Sequence, residues 1–135
     1  MDVSDGLEFA RNNSQAVLHT FRADGSPQLS PVAIAVLDGR IAISSRETAI
    51  KTKNLARNPQ ATLCILNDKF YGDWMVVSGP TEIVHLPDAL DELVEYYRTL
   101  RGDHPDWQEY RDAMVEQQRV LLRITPERVG PTVAG

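Results

Sequence analysis

A chain of 135 residues, 42% hydrophobic and 24% charged, has the size and balance of a single globular domain over residues 1–135. Its formal net charge of −5 excludes the broad basic surface that non-specific nucleic-acid binding needs. No run nears the roughly 18 apolar residues of a membrane span, and Met1-Asp2-Val3-Ser4-Asp5 lacks the basic start and apolar core of a secretion signal, so the cytoplasm is the expected location.

After a polar lead with a helical turn around Leu7 to Ala10, Gln15 to Arg22 reads as a strand that stops at Asp24-Gly25. Gln28 to Leu37 reads as a second strand, with Pro31 marking a bulge or an unpaired backbone position. Asp38-Gly39 followed by Arg40 to Ser44 gives a two-residue hairpin signal and a third strand. A short helix fits Thr48 to Arg57, with Thr48 or Ser45 as N-cap, Ile50 and Leu55 toward the core, and Asn58-Pro59 as the stop. Two further strands follow, Ala61 to Asn67 and Asp73 to His85, the second bent at Gly79-Pro80. From Pro87 the period becomes helical through Leu90, Leu93, Val94, Tyr97 and Leu100, with Asp88, Asp91 and Glu92 at the end the helix dipole favours for acids. Gly102 to Pro105 breaks that helix, Asp106 to about Gln117 reads as another with Asp106 or Pro105 at its start, and Arg119 to Ile124 is the last strand. Six short antiparallel strands with one helix inside the run and two late helices predict a mostly β (α+β) barrel, since closure removes exposed strand edges.

Most catalytic signatures are missing. His19, His85 and His104 show no metal-ligand spacing, so no metal is expected, and Cys64, set among Leu63, Ile65 and Leu66, reads as a buried, inert thiol. There is no nucleophile elbow, no phosphate-binding P-loop and no dinucleotide-binding glycine motif. No side chain is assigned to proton transfer. What stands out is a positive island in an acidic chain: Arg46, Lys51, Lys53 and Arg57 against the single acid Glu47. Unpaired amides at a helix N-terminus favour an anion, and Lys51 one turn in adds a full charge, which makes a phosphate the natural guest. The same segment also reads as a solvated helix whose lysines serve solubility.

Four blocks carry a resemblance: Asp24-Gly-Ser-Pro-Gln-Leu-Ser30, Lys51-Thr-Lys-Asn-Leu-Ala-Arg-Asn-Pro59, Gly72-Asp-Trp-Met-Val-Val-Ser-Gly79, and Asp106-Trp-Gln-Glu-Tyr-Arg-Asp-Ala-Met114 leading into Arg119-Val-Leu-Leu122. In this order they resemble the pyridoxamine-phosphate-oxidase-like split-barrel proteins, and within them the F420 (deazaflavin)-dependent oxidoreductase branch. The resemblance implies a six-stranded split barrel of the FMN-binding type, a homodimer, and a cofactor in a groove between subunits. It implies cofactor contacts from Gln28 and Ser30 on the second strand, Ser44 and Ser45 at the end of the third, and Lys51 and Asn54 on the helix. Tyr71 and Trp74 would lie beside the ring or tail. Where this branch often carries an arginine two residues before the helix lysine, this chain has Ala49, which leaves Arg46 as the available substitute. Pro31 stands where a polar residue would meet the ring. The implied activity is hydride transfer from reduced deazaflavin to a small electron-poor acceptor, the cofactor carrying the chemistry. An FMN enzyme of the same fold and a cofactor carrier without turnover are the alternatives.

Overall fold

In the computed structural model, which describes residues 1–130, the polar lead is a full helix, α1 (Val3–Asn12). Asp2 and Asp5 close a capping box at its start, each carboxylate accepting the other's backbone N–H, at 3.1 and 2.9 Å. The chain continues through β1 (Gln15–Phe21), β2 (Pro27–Ala33), β3 (Ala35–Leu37), β4 (Arg40–Arg46), α2 (Ile50–Arg57), β5 (Gln60–Leu66), β6 (Trp74–Val84), α3 (Leu90–Arg101), α4 (Trp107–Glu116), β7 (Arg119–Ile124) and β8 (Arg128–Val129). Every strand pairing is antiparallel, in the order β2-β1-β5-β6-β7-β4-β3, with β8 added alongside β6.

The described residues therefore form eight strands rather than the expected six. The single strand expected over Gln28 to Leu37 breaks at Ile34, whose N–H donates to the Ser14 carbonyl, so β2 joins β1 while β3 crosses to β4. The short β8 is the other addition. No bulge forms at Pro31, which stands in regular register opposite Val17. Its missing N–H costs nothing in pairing because β2 is an edge strand. Asp38 and Gly39 both take positive φ, 51° and 72°, as a tight hairpin turn requires.

β6 joins the two halves of the barrel. Up to Pro80 it pairs with β5, and from Thr81 it pairs with β7. At the switch the backbone of Thr125 lies so close that a Cβ on Gly79 would sit 1.8 Å from its carbonyl oxygen, so only glycine fits.

Two cores result. Leu18, Ile41, Ile43, Leu63, Ile65, Val77, Leu122 and Ile124 fill the barrel, closed by Leu55 of α2 and Ala10 of α1. Ala42 and Leu121, on the other face of β4 and β7, pack against Leu93 and Val94 of α3 and Tyr110 and Met114 of α4. Asp106 caps α4 by accepting the Glu109 N–H at 3.1 Å.

Helix α2 departs from expectation at its start. Its N-cap is Ala49, which offers no side-chain bond, rather than Thr48 or Ser45. Ser45 belongs to β4 and spends its hydroxyl on Thr52, 2.8 Å away. Ile50 is 55% exposed, whereas Thr52, Asn54 and Leu55 are buried, so the helix turns that face, not its first residue, to the barrel.

Candidate functional site

The positive island lies where β4 ends and α2 begins. Because α2 has no side-chain cap, its first amides stay available to a guest, and the helix dipole adds its positive end there. Lys51 is half-buried beside those amides. Loss of solvent, with the nearby Arg119 charge as a lesser cause, holds its ammonium below the ordinary lysine pKa. Arg46 closes β4 directly across the ladder from Arg119, the first residue of β7. Among the described residues none of Arg46, Lys51, Arg101 and Arg119 forms an ion pair, although nine ion pairs occur elsewhere.

Gln28 and Asn54 meet through a buried network. Asn54 Nδ2 donates to Thr20 Oγ1 at 3.1 Å, and Thr20 in turn donates to Gln28 Oε1 at 3.2 Å. Arg57 donates to Asn54 Oδ1 at 2.9 Å and to the Phe21 carbonyl at 3.0 Å, which ties α2 to the β1–β2 hairpin. Asn54 is only 5% exposed, so in one chain it orients the helix rather than facing open solvent. Ser30 sits on the same inner side of β2, and its hydroxyl oxygen is buried with no hydrogen-bond partner.

Ser44 opens onto a cavity of about 270 Å³ shared with Ala33, Tyr96, Arg101, Met114 and Arg119. The Tyr96 hydroxyl donates to the Ala33 carbonyl at 2.8 Å and bridges the gap that the break at Ile34 leaves between the half-sheets. Burial raises the Tyr96 pKa, keeping the phenol neutral.

Ser44, Ser45, Arg46 and Lys51 thus gather at one end of the barrel, with Gln28 and Asn54 joined to them through α2. Tyr71 and Trp74 do not. They follow the far end of β5, whose seven residues separate them from the end of α2 by about 20 Å. Tyr71 is 96% exposed. Trp74 pairs with Leu66 on the outward face of the β2-β1-β5-β6 half-sheet, alongside Val17, Leu29, Pro31, Cys64 and Val76. Among the described residues no helix covers that face, which also carries Gln15, His19, Gln60, Thr62 and Ser78. Arg119, Arg101, Tyr96 and Thr20 escape sequence reasoning because nothing local marks them. Their place depends on strand register and on where α3 docks.

The antiparallel half-sheets and their helices are those of a split barrel. The chain belongs to the pyridoxamine 5'-phosphate oxidase family, whose model matches residues 7–132. This family includes oxidoreductases, and its fold holds flavin or flavin-like cofactors. Among solved structures, a conserved hypothetical protein from Mycobacterium tuberculosis is 28% identical, with a TM-score of 0.78 over 96% of this chain and 82% of that one. An F420 reductase matches at 20% identity and a TM-score of 0.70, covering 91% of this chain and 94% of that one. A heme storage protein from Vibrio cholerae matches at 18% identity and a TM-score of 0.72, covering 96% and 94%. Among the described residues no helix is long and apolar enough to cross a membrane, and no group of three or more His, Cys, Asp or Glu is placed to hold a metal ion.

Proposed function

We propose that this protein is an F420-dependent oxidoreductase that passes a hydride from reduced deazaflavin to a small electron-poor organic acceptor, working as a homodimer. The observation that carries the reading is the unpaired cationic seam of Arg46, Lys51 and Arg119 beside an uncapped helix start. Such a place fits a phosphate-bearing cofactor, since each cation there lacks a carboxylate that a phosphate would replace. The buried, unpartnered Ser30 hydroxyl fits the same guest, as an orphaned polar atom that a bound group would satisfy. The fold likeness to an F420 reductase adds support.

When bound, the deazaflavin supplies the hydride chemistry. In this account the chain's own residues do the rest. Lys51 and the first amides of α2 hold the phosphate, with Ser44 and Ser45 beside them and Arg46 supplying the charge absent at Ala49. The bonds from Asn54 and Arg57 to the β1–β2 hairpin keep the helix start aimed at the seam. The outward sheet face would bury against a second copy, bringing that copy's Tyr71 and Trp74 toward the groove and excluding water. FMN in the same place is the second reading, favoured by the smaller number of cations at α2 once Ala49 replaces an arginine. A carrier without turnover is the third, favoured by the heme storage protein of similar fold.

Fluorescence titration with F420 and with FMN separates the first two. F420 is expected to bind more tightly, and a clearly tighter FMN would sink the deazaflavin reading. Lys51→Ala is expected to weaken the bound cofactor by about 1.5 to 3 kcal/mol, and an unchanged affinity would remove Lys51 from the site. Reoxidation of bound, reduced cofactor by a panel of quinones and enones separates enzyme from carrier.

A further inference from the structure

His85 reaches the positive island from another part of the chain. It follows the end of β6, and its Nδ1 lies 2.5 Å from Oε1 of Glu47, the only acid between Arg46 and Arg57. Because β7 stands between β6 and β4 in the sheet, this contact passes over the start of β7. The backbone of Glu47 is fixed at the same place, its N–H donating to the Gln118 carbonyl at 2.9 Å. Both side chains remain partly exposed, 57% for His85 and 42% for Glu47.

The consequence is electrostatic. Glu47 stands next to Arg46 and four residues before Lys51, so both cations are within its reach in sequence. Among the described residues neither pairs with it, and its one ion pair is with His85. The other charged groups on the elements that meet there are Arg46 of β4, Lys51 of α2, Arg119 of β7 and Asp88 in the turn before α3, and none of these pairs with His85. A charged imidazolium holds a carboxylate by charge and by hydrogen bond, whereas a neutral imidazole offers the bond alone.

We propose that His85 is a positioning residue that holds Glu47 away from the start of α2, and that its protonation sets how well an anion binds there. The proposal rests on the reading of that helix start as the phosphate place of the cofactor, and adds its regulation. Below about pH 6, where histidines carry a charge, Glu47 is paired and neutralised, and Arg46 and Lys51 meet a guest without a competing carboxylate. Above about pH 7 the pair loses its charge, and Glu47 is free to turn toward Lys51 and oppose the anion. Affinity for a phosphate-like group is thus highest on the acid side and falls as pH rises through the histidine range.

Sulfate, which stays doubly charged over this range, is the probe. Its dissociation constant is read from melting temperatures of the full chain at pH 5.5 and pH 8, against sodium chloride of equal ionic strength. The parent is expected to bind sulfate about threefold more tightly at pH 5.5 than at pH 8, the scale of a partly exposed ion pair. His85→Gln, which keeps a donor but carries no charge, is expected to bind at pH 5.5 only as the parent does at pH 8. Glu47→Gln is expected to bind at both pH values as tightly as the parent does at pH 5.5. Glu47→Gln combined with His85→Gln is expected to match Glu47→Gln alone, because His85 acts through Glu47. The proposal is overturned if His85→Gln keeps the tighter binding at pH 5.5, or if the double variant stays as weak as His85→Gln. It is also overturned if Lys51→Ala leaves sulfate affinity unchanged, which would put the anion away from α2. Failure of F420 and FMN to bind, with the sulfate results intact, would sink the cofactor reading and leave the role of His85. Lys51-dependent F420 binding that is the same in the parent and in His85→Gln at pH 5.5 would do the reverse.

Discussion

Strands β4 and β7 are buried on both faces, and their sequences show it: Ile41-Ala42-Ile43 and Val120-Leu121-Leu122 are continuous apolar runs. Strands β1 and β5, in the other half-sheet, alternate between buried and half-buried positions. A face turned to water should then be polar at the outward positions. There Val17, Leu29, Pro31, Cys64, Leu66, Trp74 and Val76 form an apolar cluster among Gln15, His19, Gln60, Thr62 and Ser78. One half-sheet is covered by helices of its own chain, while the apolar cluster on the outward face of the other is covered by none of the described helices. The proposed homodimer would bury that cluster.

Removing apolar contact from the covered half is expected to have the largest effect. Leu121→Ala should cost about 3 kcal/mol, because Leu121 is fully buried between the sheet and α3, and a urea unfolding midpoint checks this. A cost under about 1 kcal/mol would mean that the helices are only loosely docked.

A smaller effect is expected from alkali, and again from the covered half. Tyr110, on α4, is buried against α3 with its hydroxyl donating to the Leu93 carbonyl at 2.8 Å. Burial, reinforced by Tyr96 and Tyr97, pushes its pKa up to about 12. In the unfolded chain the phenol loses its proton near pH 10, so its contribution is complete below that value and is lost as pH rises toward about 12. The loss approaches about 1.4 kcal/mol per pH unit across that window. Unfolding midpoints at pH 8, 10 and 11 should fall accordingly, and Tyr110→Phe should flatten that fall. Parallel curves for the two proteins would contradict the assignment.

The smallest effect on the isolated chain is expected on the uncovered face. Leu29 is 62% exposed, so Leu29→Ala should change monomer stability by less than about 0.5 kcal/mol in dilute solution.

The difference between the halves also explains what could be read from the sequence. The Asp38-Gly39 hairpin and the start of α4 at Asp106 were legible, because each depends on residues adjacent in the chain. The break at Ile34 was not, since apolar alternation runs through it and only the Ser14 carbonyl and the two half-sheets make the chain turn there. At the candidate site the basic segment announced itself by charge. Its strongest structural feature, the opposition of Arg46 and Arg119, depends on register between segments more than 70 residues apart in sequence. Asn54 shows the same limit: helical spacing puts it near Lys51, but Thr20 draws it into the barrel.

The central claim is that the cofactor groove is completed where the uncovered half-sheet meets a second copy. Leu29→Glu with Val17→Glu places two carboxylates on that face, and size-exclusion chromatography with light scattering, followed by F420 titration of the same fractions, tests the claim directly. The account predicts a folded monomer with a parent-like circular dichroism spectrum and cofactor affinity at least tenfold weaker than the parent dimer. A folded monomer that binds the cofactor as tightly as the parent would contradict it.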